Sequence, residues 1–186
     1  MIKAIAHIES LSPYSQSRMH ETPKLEKEHH HDFEKRTWRE KAHFDKDGNV
    51  FIPPMAFKIA LAECARFLGE TIPGKGKATW TKHFEAGVLC MDPIYMGVKK
   101  NDLIGEAFNM NADGKRGSGT RVQRTFPCVP EWKAAVPFYV LDQTITEPVF
   151  HKYISETGKF IGIGRFRPRN GGYYGRFKVT KLEWHQ

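Results

Sequence analysis

Cysteine is scarce in this chain: three in 186 residues, Cys64, Cys90 and Cys128, odd in number and far apart. That spacing supports neither a disulfide framework nor a Cys-x-x-Cys metal half-site, so structural thiols in a reducing compartment are expected. Long apolar runs are missing too. No stretch approaches the roughly 18 residues needed to cross a bilayer, and the opening MIKAIAHIESLSPY is interrupted by Lys3, His7 and Glu9, which argues against a secretory signal. The expectation is a soluble, cytoplasmic protein with no membrane partner. There is no internal repeat.

Several chemistries are excluded by a single missing residue. Gly69-Glu70-Thr71-Ile72-Pro73-Gly74-Lys75 approaches a phosphate-binding P-loop, but Gly76 stands where the magnesium-binding Ser or Thr belongs, and a helix rather than a strand precedes it. Gly162-x-Gly164 is not a dinucleotide fingerprint, because no helix follows and Pro168 intervenes. His29-His30-His31-Asp32 has the donors for a metal, yet consecutive histidines on a regular element cannot all face one ion, and a solvated loop is expected. Neither a metal nor a cofactor is expected.

What the chain has is positive charge, gathered in one place. From Lys159 to Gln186 seven basic residues face one acidic residue, Glu183, a local net of +6 within a formal total of +8. Gly162 to Val179 reads GIGRFRPRNGGYYGRFKV. Its glycines Gly162, Gly164, Gly171 and Gly172 let backbone come close to a ligand. Arg165, Arg167, Arg169 and Arg176 can fork onto phosphate oxygens, and Tyr173 or Tyr174 can stack on a base. Clustered charge of this kind is the electrostatic footprint of a polyanion partner, since each neutralised phosphate releases counterions. A second basic region, residues 99–124, holds six basic and three acidic residues. Within it Asp113-Gly114 followed by Lys115 and Arg116 marks a hairpin tip, with Arg121 and Arg124 on the returning side.

With 40% hydrophobic and 12% aromatic residues the chain can bury a core, and 186 residues suit one domain. A strand is expected over residues 2–11. Residues 12–49 are polar and read as an insertion or loop, with a weak helix inside 33–42. Val50 to Ile52 is extended. Pro53-Pro54 then starts a helix whose Phe57, Ala60, Leu61, Cys64, Ala65 and Leu68 recur at helical spacing, and Gly69 stops it. Lys58 and Arg66 lie on another side of that helix, open to solvent or a phosphate. Residues 70–83 read as a loop, 86–91 as a strand, 99–126 as a basic hairpin insertion and 132–141 as a strand. A second helix begins near Thr146 as N-cap and ends at Gly158. A closing strand spans 173–184. Without the insertions the order is β-α-β-β-α-β.

Two segments carry a family likeness. Phe51-Ile52-Pro53-Pro54-Met55-Ala56-Phe57-Lys58-Ile59-Ala60-Leu61 resembles an element in which an extended residue and Ile-Pro-Gly lead into a helix, with Pro54 where glycine is usual. The segment GIGRFRPRNGGYYGRFKV is similar to a late glycine-rich loop. Both patterns resemble those of the RAMP superfamily of CRISPR-associated proteins, and the type they most resemble is the backbone subunit that polymerises along guide RNA. The resemblance implies an α+β, ferredoxin-like (RRM-like) core with a thumb-like hairpin insertion, here around Asn109 to Arg124. It also implies a guide contact in the loop after strand one, Ser12 to Arg18. Expected partners are single-stranded guide RNA, copies of the chain itself, other effector subunits and a target strand. Related members cut RNA with a histidine or with an aspartate after strand one, and no residue here matches those positions, so a non-enzymatic binder is expected. The alternatives are a metal-independent endoribonuclease and a virus-borne mimic of the backbone subunit.

Overall fold

Ala4, Ala6 and Ile8 alternate along strand β1 (Ile2–Ser10) and are fully buried, the period-two pattern of a strand with one face on a core. The structure, a computed structural model, describes every residue except Gly114, Arg116, Ser118 and Gln186. Strand β1 lies between β9 (Phe177–His185) and β8 (Lys133–Val140), and the two-residue β4 (Val88–Leu89) pairs with the far side of β8. All three pairings are antiparallel. The small alanines of β1 leave room for neighbouring rings, and Phe138 stands opposite Ala4.

Helix α2 (Pro54–Leu68) covers one face of this sheet. Its prolines sit where the N–H groups have no helical partner, and Gly69, at φ 60°, donates its N–H to Ala65 O at 3.1 Å and stops the helix. Phe57 meets Phe138 and Phe177 edge-on, with centroids 6.3 and 5.8 Å away. Helix α4 (Glu147–Glu156) adds Phe150, which packs on Phe138 and Trp184. Thr146 occupies its N-cap in an extended conformation, but its side chain makes no capping hydrogen bond.

Gly158 does not end the second helix, contrary to expectation. The chain continues through a π turn, Thr157–Ile161, and leaves helical geometry at Gly162. Glycine is needed at 158 for close approach: a Cβ there would lie 2.1 Å from Phe177 O, where β9 crosses the helix.

The strand expected over 86–91 is shorter than the apolar run implied. Residues Thr81–Gly87 form helix α3, which begins within the loop expected at 70–83 and runs into the expected strand, and only Val88–Leu89 is strand. Trp80, Phe84 and Val88 are spaced by four and all buried, and Phe84 packs on Tyr153 at 4.4 Å, so tertiary packing on α4 selects helix here.

Two smaller sheets complete the mixed α+β architecture. Strands β6 (Ile104–Asn111) and β7 (Arg121–Val129) form the basic hairpin, with β2 (Tyr14–Ser15) added along β7. Strand β3 (Asn49–Ile52) pairs with β5 (Ile94–Lys99). Inside the 12–49 segment, α1 (His30–Thr37) and a 3-10 turn, Trp38–Lys41, dock on β7. Glu34 Oε1 there accepts the Thr125 N–H at 2.7 Å and the Lys41 ammonium, a nearly buried ion pair. Among the described residues no helix is long and apolar enough to cross a membrane.

Candidate nucleic-acid interface

The glycine-rich segment is laid directly against β2. Gly164 takes φ 79°, and a side chain there would meet Ser15 O and the Tyr14 ring at 2.5 Å. The next residue donates its N–H to Ser15 O at 2.8 Å. This close seating brings the segment to the base of the β6–β7 hairpin.

Arg165 makes the join. Its guanidinium carbon lies 3.4 Å from the Phe126 centroid, 4.2 Å from Phe166 and 4.8 Å from Phe108. Burial pulls its pKa down to about 10, against the opposing electrostatic pull of Tyr174 and Glu106, and Nη1 is buried without a hydrogen-bond partner among the described residues. The Tyr174 hydroxyl donates to Glu106 Oε2 on β6. Segment and hairpin therefore share one apolar and cationic seam.

A groove along that seam comprises two cavities, and Ser17 lines both. One, of about 520 Å³, lies between the loop after β1 and the hairpin, lined by Arg18, His20, Lys41, Asn111, Asp113 and Arg124 among others. The other, of about 410 Å³, is lined by Gln16, His43, Pro53, Gly164, Arg165 and Phe166 among others, at the start of α2. Gln16 fixes the floor: its side chain donates to Phe51 O at 3.1 Å and accepts the His43 N–H at 2.7 Å. Burial, and then Arg18, lower the pKa of His43 and favour its neutral ring.

The expected site residues divide by whether they are free. Arg18 reaches the groove and packs on Phe44 at 5.5 Å. Arg124 lines it while donating to Ala112 O at 3.4 Å. Lys115, Arg121, Arg169, Gly171 and Tyr173 are exposed. Arg167 is held inside the molecule: Nη2 donates to Glu63 Oε1 at 3.1 Å, and Nη1 lies 2.8 Å from Oε2, off the hydrogen-bond direction. Arg176 donates to Lys159 O. Lys58 donates to Glu85 O at 2.7 Å and Arg66 lies 3.1 Å from the Glu85 carboxylate, so both face α3 and neither lines the groove. Gly162 is buried and Gly172 packs under Phe166. Arg116 lies outside the described residues.

Sequence reasoning missed Lys41, His43, Phe126 and Phe166, which lie in segments read as polar loop or were outshone by neighbouring arginines, while Gln16 falls within the expected Ser12 to Arg18 contact without having been singled out. Only Phe166 had a local signal, an aromatic placed between two arginines. The thiols are not nucleophiles at neutral pH: burial pushes Cys64 up to about 11 and Cys90 and Cys128 to about 12. Among the described residues no three His, Cys, Asp or Glu side chains gather as a metal site.

No family model matches this chain, and no curated protein is similar to it in sequence. Solved structures are similar in fold. A chain of the type III-B Cmr-beta assembly, determined by cryo-electron microscopy bound to cognate target RNA, matches with TM-score 0.57 and 13% identity. The match covers all of this chain, which spans 61% of that one. Cmr6 from Pyrococcus furiosus matches with TM-score 0.50 and 13% identity, covering 97% of this chain and 98% of Cmr6. At such identity the likeness is one of fold. In fold, then, this chain is similar to those two Cmr chains.

Proposed function

We propose that this chain is a non-enzymatic, RNA-binding subunit of a CRISPR-type ribonucleoprotein, holding single-stranded guide RNA through its phosphates and assembling beside copies of itself and other effector subunits. The sheet order β9-β1-β8-β4, with α2 and α4 on one face, supports reading the core as ferredoxin-like. On that reading the β6–β7 hairpin is the thumb-like insertion. The observation that carries the proposal is the joining of glycine-rich segment and basic hairpin through Arg165 along one groove. Groove-facing Arg18 and Arg124, with the exposed Lys115, Arg121 and Arg169, would supply cations to the strand.

Filter binding of a single-stranded oligoribonucleotide across a salt series tests this. Log K should fall by about 0.7 per neutralised phosphate for every tenfold rise in salt. The triple variant Arg18→Ala, Arg124→Ala, Arg169→Ala should flatten that slope by roughly 2. A wild-type protein whose affinity ignores salt would sink the proposal. Incubating labelled RNA with the protein in EDTA separates binder from ribonuclease, because His20 lines the groove and defined fragments would assign it chemistry.

A further inference from the structure

Phe166 is a bulky residue held at φ 51°, in the left-handed region that such side chains rarely adopt. Conformations of this kind persist only where the surroundings over-determine them, and they gather at ligand sites. The surroundings here do so. The N–H before it binds Ser15 O at 2.8 Å, its carbonyl accepts the Tyr174 N–H at 3.0 Å, and a Cβ on Gly172 would lie 1.8 Å from that carbonyl.

The conformation does not hide the ring. Phe166 stays 42% exposed and lines the groove beside Gly164. The Arg165 guanidinium lies over the ring at 4.2 Å and Phe108 stands tilted at 6.1 Å. A fixed aromatic face, backed by a cation and open to a groove, suits the flat π surface of a nucleobase. The two tyrosines expected to stack are placed differently. Tyr174 is tied to Glu106 with its ring against Phe108, and Tyr173 is exposed without lining the groove.

We propose that Phe166 is the stacking platform for one unpaired base of the bound strand, with Arg165 as its backing. This rests on the RNA-binding reading above and adds the base as a recognised group and the residue that receives it.

The test uses the full chain and an oligoadenylate carrying one 2-aminopurine, followed by anisotropy and by fluorescence quenching. Wild type should quench the probe on binding. Phe166→Leu should weaken binding roughly ten-fold, within the ~5- to 150-fold that one stacked base is worth, and lose the quenching while keeping the salt slope. Phe166→Tyr should behave as wild type. Phe166→Gly should bind as weakly as the leucine variant, since it too removes the ring while glycine adopts positive φ without strain. Full affinity and quenching in Phe166→Leu or in Phe166→Gly overturns the platform and leaves the RNA reading standing. Absence of salt-dependent binding by wild type overturns both.

Discussion

Gly158 shows how one position can be read correctly as special and incorrectly as to why. Helix propensity alone makes Gly158→Ala stabilising by about 1 kcal/mol. The added methyl would instead meet Phe177 O at 2.1 Å and the Phe177 ring at 2.8 Å, and those atoms are backbone and buried core with little room to yield. The variant is expected to lose more than ~2 kcal/mol in urea unfolding, the range of an overpacked core. An unchanged midpoint would mean β9 can slide off the π turn. The glycine was visible in the sequence, whereas its partner lies nineteen residues away and belongs to another element.

At the scale of elements, the glycine-rich segment separates two arginines that look alike in the sequence. Arg167 is tied to Glu63 of α2 by one hydrogen bond and its charge, with side chains 16% and 22% exposed, while Arg169 is exposed, its guanidinium 6.0 Å from the Phe67 ring. Arg167→Ala should therefore lower stability by about 1 kcal/mol, the upper end for a pair near the surface, and reduce RNA affinity less than Arg169→Ala does. Arg169→Ala should leave stability within ~0.5 kcal/mol and lower the salt slope by about 0.7. Thermal melts beside filter binding check both, and the reverse order would make Arg167 the phosphate contact. Elements with a strong local signal were legible: α2 from its apolar spacing, prolines and terminal glycine, and β8, β9 and the hairpin from composition. Helix α3 was not, because seven residues carry too little periodicity to outweigh the apolar run that follows.

At the scale of the molecule, the groove depends on a segment far from the arginines. The Glu34–Lys41 pair, each side chain 9% exposed, pins α1 and its following turn to β7 and brings Lys41 to the groove wall, where its ammonium lies 4.6 Å from the Phe126 ring. Burial pushes the Lys41 pKa down, with Glu34 opposing that shift. Glu34→Gln leaves a buried ammonium without its counter-charge and should lose ~3 kcal/mol or more, whereas Glu34→Leu with Lys41→Met should recover most of it. Denaturant unfolding measures this, and the single variant should also bind RNA more weakly because that wall loosens. Equal stability in the single and double variants would show that the pair is solvated.

The sequence by itself determined the clustered positive charge on which the proposed partner rests and most of the main strands and helices, because charge clustering and hydrophobic periodicity are local properties of the chain. Only the tertiary structure decided which cations are free. Arg165, Arg167 and Arg176 find internal partners at Phe126, Glu63 and Lys159, whose distances along the chain leave no local trace. The groove arises the same way, where residues near 16, 43, 110 and 165 meet through sheet pairing that no short window of sequence encodes.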